Sequence, residues 1–256
     1  MSTGSVPDLV DAGLPAGVHG GFTTRTSVST RPGGPAWAGF NLGDHVGDDP
    51  ERVAAHREAL RGALGADALV IPRQVHGAGV VDVDRLDQVA QGPLSEGPAP
   101  EGDALVCTTP GVAIGILVAD CVPVLLADPQ AGVVGVAHAG RPGLVAGVVP
   151  ATVAALRERG ARAIRAVLGP AICGACYEVP PAMAEEVAAV APAARARTGW
   201  GTTGVDVAAG VLAQLAELGV PARRVARCTA EDDDLYSYRR SGVTGRTGGF
   251  LVLEAP

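Results

Sequence analysis

The chain contains no lysine, so all 20 of its basic side chains are arginine. Without an ε-amine, Schiff-base chemistry and a phosphate-binding loop built around lysine are both excluded. Any anion-binding role therefore falls to arginine, whose planar guanidinium matches phosphate and carboxylate, or to backbone N–H groups.

Aromatic residues are also scarce, at 3% of the chain, whereas 47% of the residues are hydrophobic. The core must therefore be built mainly from alanine, valine, leucine and isoleucine. With 256 residues the chain is long enough to bury a substantial core. We expect a single domain spanning residues 1–256.

Targeting and membrane signals are missing as well. The most apolar run, residues 111–119, is far shorter than the roughly 20 residues of a membrane-spanning helix, and the N-terminus does not resemble a signal peptide. The net charge of −7, with no basic stripe, argues against nucleic-acid binding. Five cysteines, an odd number, favour free thiols or a metal thiolate over disulfides. These features predict a cytoplasmic protein that binds neither nucleic acid nor membrane.

Hydrophobic runs predict an α/β protein with a mixed sheet. Four β-branched runs lie in the middle, at residues 104–108, 112–119, 122–127 and 133–138, and their continuous hydrophobicity predicts strands covered on both faces. Further strands are predicted at residues 18–24, 68–71, 80–83, 164–168, 225–228 and 250–253, and Pro/Gly-rich residues 91–102 are predicted to form a surface loop.

Helices are predicted at residues 50–64, 180–190 and 205–218. Another is predicted after the fourth central run, where apolar residues from Val145 to Leu156 keep helical spacing and Gly160 caps the end. Pro150 lies inside that pattern and predicts a kink or a late start.

Three candidate metal ligands each lie at the end of a predicted strand: His76, Cys121 and His138. Loops converge at strand ends, so such positions are suited to a site. Two imidazoles and one thiolate suit Zn²⁺ and leave a fourth position for water or substrate. The alternative is a buried, inert cysteine with two hydrogen-bonded histidines. Asp120 precedes Cys121 and is predicted either to orient a ligand or to hold the turn.

Two further groups allow more than one interpretation. Cys173 and Cys176 form a C-x-x-C pair for redox or metal chemistry, although small buried thiols are the simpler interpretation. Arg239, Arg240 and Arg246 offer guanidinium groups for phosphate or carboxylate, but the acidic residues 231–234 would pair with them in a surface cluster. In the same stretch, the two alternating tyrosines at positions 236 and 238 are spaced as a strand would place them.

Eight sequence blocks together resemble the bacterial YfiH-like family, once named the multicopper polyphenol oxidoreductase or laccase domain and now regarded as zinc-dependent purine nucleoside phosphorylases. They span almost the whole chain in the family's order. The blocks are GFTTR (21–25), FNLGDHVGDDPERV (40–53), RQVHG (73–77), GDALV (102–106), ADCVPVLLAD (119–128), GVAHAG (135–140), GPAICGACYEV (169–179) and YSYRRSGVTGR (236–246).

The resemblance implies a layered α/β/β/α sandwich with mixed sheets. It implies phosphorolysis of adenosine, inosine, guanosine and methylthioadenosine, together with adenosine deamination. The family's metal ligands fall on His76, Cys121 and His138. These residues are expected to hold zinc, and copper is the alternative metal. The residues expected to bind phosphate or substrate are Arg25, Asn41, Arg239 and Arg246.

The chain departs from the family pattern in two places. Tryptophan and then arginine usually follow HAG, but this chain has Arg141 and Pro142, so the loss of a base-stacking or packing surface is expected. His56 precedes Arg57 where the family usually has asparagine. Two alternative functions are a copper-dependent phenol oxidase, which would need many more than five histidines, and a metal-stabilised binding protein with a decayed site.

Overall fold

The computed structural model describes residues 9–25, 36–86 and 99–255. The strands are β1 (Leu9–Asp11), β2 (Val18–Thr23), β3 (Ala68–Val70), β4 (Val80–Asp82), β5 (Ala104–Cys107), β6 (Val112–Val118), β7 (Val122–Asp128), β8 (Val133–Ala139), β9 (Arg165–Leu168), β10 (Arg195–Arg197), β11 (Thr203–Val205), β12 (Ala222–Arg224) and β13 (Thr247–Leu253). The α-helices are α1 (Pro50–Ala63), α2 (Arg141–Ala146), α3 (Val148–Glu158), α4 (Pro181–Val190), α5 (Val207–Glu217) and α6 (Tyr238–Ser241).

Two mixed sheets form the centre of the molecule. Their strand orders are β1-β2-β13-β6-β3 and β12-β9-β7-β8-β5-β4, and a separate ribbon pairs β10 with β11. The pairs β3–β6, β4–β5 and β12–β9 are parallel, whereas the other pairs of the two sheets are antiparallel. The prediction of a mixed sheet is therefore confirmed.

The layers follow from which side chains each hydrophobic cluster contains. One cluster joins β5, β7 and β8 to the helices α3, α4 and α5, and a second joins the opposite faces of β5 and β8 to β6 and β13. A third packs α1 against the outer face of β6 and β13 through Leu60, Ala113 and Phe250. The order helix, sheet, sheet, helix matches the predicted sandwich. Every residue of β6, β7, β8 and β13 is buried, as expected for strands covered on both faces.

Most predicted elements are observed within one to three residues of their expected bounds. The strand predicted at residues 225–228 is wrong, because β12 lies at Ala222–Arg224 and pairs with β9. β12 lies at a sheet edge, and its first two side chains are exposed. Because these positions need not be hydrophobic, the sequence ARR does not show the pattern of a buried strand. The loop predicted at residues 91–102 lies mainly outside the described residues.

The helix predicted from Val145 to Leu156 is divided in two, and its longer part, α3, begins late, at Val148. Two helices, α2 and α3, meet at Gly147, which has a left-handed φ of 84°. Pro150 lies in the first turn of α3, where a proline does not remove a helical hydrogen bond. Gly160, with a φ of 92°, follows the end of α3. Among the described residues, no helix is long and apolar enough to cross a membrane.

Candidate metal and anion site

The strand order brings two loops to one edge of the molecule. β3 and β6 are parallel, so the loop after β3 and the turn after β6 leave the sheet at the same end. The side-chain amide of Gln74 donates to the carbonyl of Leu117 at 2.8 Å and accepts from its N–H at 2.8 Å. In this way Gln74 extends the sheet pairing and fixes the loop that carries His76 beside the turn that carries Cys121.

The metal triad consists of His76, Cys121 and His138, and its three donor atoms lie within 4.8 Å of one another. The thiol sulfur of Cys121 lies 3.9 Å from Nε2 of His76. The two imidazole rings meet edge to face with centroids 4.7 Å apart. His138 reaches the group from the last residues of β8, where it pairs with Pro123 of β7. The predicted convergence of these three residues is therefore observed.

Two residues at this edge have a left-handed backbone. His76 has a φ of 62° and Asp120, directly before Cys121, has a φ of 89°. Such conformations cost a non-glycine residue on the order of 1–3 kcal/mol and persist only when the surrounding structure enforces them. They turn the two loops so that His76 and Cys121 face each other.

Asp103, directly before β5, is the main support of the triad, and the sequence prediction missed it. Its buried carboxylate accepts from Nδ1 of His138 at 2.8 Å and from the N–H groups of Val75, His76 and Gly77 at 3.2, 2.9 and 2.7 Å. One carboxylate thus orients a histidine ring and holds the loop of the second histidine, as an outer partner of a metal ligand does. The only sequence signal was an aspartate at the start of a strand within the GDALV block.

Of the two roles predicted for Asp120, its contacts favour holding the turn. Its carboxylate accepts from the hydroxyl of Thr229 at 2.6 Å and from the N–H of Arg239 at 2.6 Å. It therefore links the turn of Cys121 to the C-terminal YSYRRSGVTGR segment.

The triad has the charge state that a thiolate metal site requires. Burial alone would raise the pKa of Cys121, but the positive charge of His138 and hydrogen bonds from His138 and His76 lower it to about 6. Burial likewise opposes protonation of His138, but the Cys121 thiolate and the Asp103 carboxylate raise its pKa to about 9. Both shifts favour a thiolate at Cys121 beside a protonated His138, and a divalent cation would replace the proton on His138.

The space around the triad fits an ion rather than a further side chain. A Cβ built on Gly140 would lie 2.9 Å from the Cys121 sulfur and 3.1 Å from Cδ2 of His76. One sulfur and two nitrogen donors form a common three-residue ligand set for Zn²⁺, with a fourth position open. The triad borders an open cavity of about 670 Å³.

The cavity wall is rich in arginine although the chain is acidic overall. Five guanidinium groups contribute to it: Arg57, Arg73, Arg141, Arg239 and Arg246. Three of them have carboxylate partners, since Arg57 pairs with Asp44, Arg73 with Glu101 and Arg141 with Glu186.

Arg239 and Arg246 have no carboxylate partner among residues 9–25, 36–86 and 99–255. The guanidinium of Arg239 lies over the ring of Tyr177, 5.0 Å from its centroid. Arg246 donates to the carbonyls of Thr244 and Gly245 at 2.8 and 3.1 Å, and burial lowers its pKa. A half-buried cation without a carboxylate ion-pair partner is suited to an anionic ligand.

The other two residues predicted to bind phosphate or substrate do not line the cavity. The guanidinium of Arg25 donates to the carbonyl of Ala38 at 3.1 Å and lies 5.5 Å from the ring centroid of Tyr236. Asn41 is fully buried, and its side-chain oxygen accepts from the N–H of Arg246 at 2.8 Å. Asn41 thus fixes the backbone of Arg246, whereas Arg25 contacts Ala38 and Tyr236.

The two departures from the family pattern have different positions. Arg141 lies on the cavity wall at the start of α2, and its guanidinium contacts Glu186 at 2.9 Å. His56 lies behind the wall, where its Nδ1 is 2.8 Å from the carbonyl of Asn41 and its ring packs on Phe40. Arg141 is therefore the departure that faces the cavity.

The two tyrosines of the C-terminal segment do not share a face, so the strand-like interpretation of their spacing is wrong. Tyr236 is fully buried and donates to the carbonyls of Trp37 and Ala38, whereas Tyr238 is 60% exposed at the start of α6 and lines the cavity. The short helix capped by Ser237 rotates Tyr238 outward. The predicted surface cluster is partly present, because Arg240 contacts Asp233 and the carbonyl oxygens of residues 229, 230, 232 and 235.

Comparison with known proteins gives one consistent family. A purine nucleoside phosphorylase of Streptomyces coelicolor is 52% identical over 244 residues, which is 93% of this chain and 96% of that protein. An adenosine deaminase, RL5, from an unknown prokaryotic organism is 36% identical over 252 residues, covering 90% of this chain and 92% of that protein.

Solved structures agree with the sequence relatives. A Neisseria meningitidis protein of the DUF152 family has a TM-score of 0.83 and 32% identity, covering 98% of this chain and all of that one. A Bacillus licheniformis protein called YfiH has a TM-score of 0.80 and 27% identity, covering 93% of both chains. The family model described as multi-copper polyphenol oxidoreductase laccase matches residues 19–254. The chain therefore belongs to this family, the YfiH-like proteins, whose curated members include enzymes named purine nucleoside phosphorylase.

Proposed function

We propose that the protein is a zinc-dependent purine nucleoside phosphorylase that cleaves adenosine, inosine, guanosine and methylthioadenosine, and that it also deaminates adenosine. The names of its relatives support the phosphorolytic activity, and the adenosine deaminase among them supports the second activity. In this proposal His76, Cys121 and His138 are the metal ligands. Arg239 and Arg246 bind phosphate, whereas Arg25 and Asn41 support them from behind.

One observation carries the proposal. A charged sulfur–nitrogen donor set and two guanidinium groups without carboxylate partners border the same cavity. Phosphorolysis requires an anionic phosphate nucleophile and a heterocyclic leaving group to be held on opposite sides of C1′, and guanidinium groups suit the phosphate. A site for binding an apolar ligand would not need two cations without carboxylate partners.

The reaction assigns distinct tasks to the residues of the chain. Arg239 and Arg246 would hold inorganic phosphate below C1′ of the ribose, where a phosphate oxygen forms the new C–O bond while the bond to N9 of the purine breaks. The leaving purine takes the electron pair and then a proton. Tyr177, which lies beneath Arg239, and Tyr238 offer aromatic surface for the base where the family tryptophan is missing.

Bound zinc would supply a positive centre that polarises a substrate group or lowers the pKa of water. The protein's own contribution is to favour a thiolate at Cys121, to orient the His138 ring and hold the His76 loop through Asp103, and to hold the Cys121 turn through Asp120. Adenosine deamination needs water and no phosphate. The two activities are therefore separable by their phosphate requirement.

The decisive experiment incubates the purified protein with inosine, with and without inorganic phosphate. Hypoxanthine and ribose 1-phosphate should form only when phosphate is present. With adenosine, ammonia and inosine should form in phosphate-free buffer. Hypoxanthine release that does not depend on phosphate, or no release, would contradict the phosphorylase assignment.

The Cys121→Ser variant tests the role of the metal, with metal content measured in parallel. We expect loss of triad-bound zinc and of both activities. Full activity without that zinc would overturn the metal-centred account. Copper in the wild-type protein together with phenol-dependent oxygen uptake would favour the oxidase alternative, and a folded, zinc-loaded protein without nucleoside turnover would favour a decayed site.

A further inference from the structure

A second group of metal-ligating side chains lies outside the triad. We name it the thiol cluster, and its members are Cys173, Cys176, Cys228 and Glu231. One donor atom from each member lies within 4.8 Å of the corresponding atom of every other. The three cysteines are half-buried and are not joined by a disulfide.

The fold brings two distant segments together to build the cluster. Cys173 and Cys176 lie on a tight turn in which the N–H of Cys176 donates to the carbonyl of Cys173 at 3.0 Å. Cys228 lies 52 positions beyond Cys176 and reaches the turn because Ala171 and Cys228 form a parallel bridge. A C-x-x-C pair with no third sulfur nearby in sequence thus becomes a three-sulfur group.

Backbone N–H groups point at the sulfur of Cys228, as they do around thiolates that bind metals. The N–H of Cys173 donates to this sulfur at 3.4 Å, and the N–H of Ala230 is a second donor. N–H groups aimed at sulfur stabilise a thiolate rather than a thiol, since a thiolate is the stronger acceptor.

Without a cation the thiols of the cluster resist ionisation. Burial and the neighbouring sulfurs raise the pKa of Cys176 and of Cys228. Three thiolates and a carboxylate repel one another unless a positive ion lies between them. A divalent cation removes this repulsion and releases the thiol protons.

We propose that the thiol cluster is a second metal site, which binds Zn²⁺ in a closed, four-ligand structural arrangement. Three thiolates and one carboxylate supply the four protein ligands of a structural zinc site, so no position is left for substrate. The triad, in contrast, supplies only three ligands and opens into the cavity. The two sites therefore differ in role as well as in donors.

The position of the cluster indicates what the second metal would stabilise. Ile172, beside Cys173, donates its N–H to the carbonyl of Asp120 at 3.0 Å, and Thr229, beside Cys228, donates its hydroxyl to the Asp120 carboxylate at 2.6 Å. Tyr177, which follows Cys176, lies in the cavity wall. A metal in the cluster would join the two segments that hold the Cys121 turn and the wall.

Metal counting tests the proposal without reference to activity. Protein purified with zinc and then desalted should contain two zinc ions per chain, one for each group. Cys176→Ser and Cys228→Ser should each retain one, and His76→Ala should also retain one. The matched control is Cys107→Ser, whose hydroxyl would keep the partners Asp84 and Thr109, and it should retain both. One zinc in the wild type that His76→Ala removes entirely would overturn the proposal.

Cobalt provides a second readout that does not depend on how well the cysteine variants fold. In a His76→Ala, His138→Ala double variant, Co²⁺ should bind with one-to-one stoichiometry and produce the thiolate charge-transfer and tetrahedral ligand-field bands of a multi-sulfur site. Zinc should also protect three thiols of that variant from a thiol reagent. Absence of these bands, reagent rates unaffected by zinc, or a native disulfide within the cluster would each contradict the proposal.

Discussion

At the residue scale, a missing Cβ leaves room for the metal triad. Gly140 caps the start of α2 with a φ of −79°, a conformation that alanine adopts without strain. Its glycine is needed for space, because an added Cβ would lie 2.9 Å from the Cys121 sulfur. Gly140 directly follows β8, and its lack of a side chain lets the Cys121 sulfur and the His76 ring lie close to the backbone there.

We expect Gly140→Ala to remove zinc from the triad while the protein remains folded. The displaced sulfur and imidazole can no longer share one ion, so chelator competition should show an affinity lowered by at least about tenfold, or roughly 1.4 kcal/mol. Gly62→Ala is the matched control, since nothing lies within 4 Å of its added Cβ in α1. Equal zinc affinity in both variants would show that the triad tolerates the extra atom.

Arg246 is the second residue whose environment makes a measurable prediction. A phosphate bound to its half-buried guanidinium forms charge-assisted hydrogen bonds that contribute about 1.5–3 kcal/mol. We expect Arg246→Gln to raise the KM for phosphate by about 10- to 100-fold, with a smaller effect on the KM for inosine. The Arg195→Gln variant, which breaks an exposed pair with Glu185, should leave both constants unchanged. An unaltered phosphate KM in Arg246→Gln would remove this residue from the phosphate site.

At the element scale, Asp84 joins β4, β5 and α3. Its carboxylate accepts hydrogen bonds from the N–H and hydroxyl groups of Thr108 and Thr109, and it pairs with Arg159 from the end of α3 at 2.9 Å. Burial alone would raise the pKa of Asp84, but the hydrogen bonds from the two threonines outweigh it, so the pKa lies below 3.8.

The sign of this shift predicts how stability depends on pH. A folded-state pKa below the unfolded value means that the ionised carboxylate stabilises the fold above that unfolded value, and that this contribution is lost as the pH falls through the folded-state pKa. We expect Asp84→Asn to lower the free energy of unfolding by about 1–3 kcal/mol at neutral pH. Urea titrations should show the difference from wild type shrinking below pH 4. A constant difference down to pH 3 would show that ionisation of Asp84 is not the cause.

At the scale of the whole molecule, the two sheets share one interior. Leu105 and Val136 from one sheet pack with Ile114 and Leu251 from the other, and all four are fully buried. Neither sheet can expose that face to water without losing its main hydrophobic contact. This shared interior supports the prediction of a single domain.

A single domain should unfold in one cooperative transition. The chain has two tryptophans, and Trp200 lies in the turn of the β10–β11 ribbon whereas Trp37 lies near the buried Tyr236. The Trp37→Phe and Trp200→Phe variants each keep one tryptophan as a fluorescent reporter. The unfolding midpoint from fluorescence can then be compared with the midpoint from circular dichroism for each variant. Coincident midpoints are expected, and separate midpoints for the two reporters would show two independently unfolding units. Removing zinc with a chelator should lower all midpoints together, because zinc binds the folded state.

The sequence alone was sufficient for the strongly hydrophobic elements. β6, β7, β8 and β13 read as strands because both of their faces are buried, so nearly every position is apolar. The edge strand β12 was misplaced because its exposed residues, ARR, carry no such pattern. The sequence likewise indicates which groups can bind a metal or an anion, because donor type and charge are properties of the side chain itself. His76, Cys121 and His138 offer nitrogen and sulfur donors, and the absence of lysine leaves arginine as the cationic side chain for anions.

Only the tertiary structure decided which side chains act together. Asp103 contacts both the ring of His138 and the loop of His76 because β5 pairs with β8 and lies beside that loop, a relation across 35 residues that no local pattern carries. Two arginines of the C-terminal segment likewise have different environments that the sequence does not reveal. Arg246 faces the cavity, whereas Arg240 contacts nearby carbonyls and Asp233. The thiol cluster formed because a parallel bridge brings Cys228 to the C-x-x-C turn. Residue type is local, but proximity depends on strand order and loop direction, which only the packed chain determines.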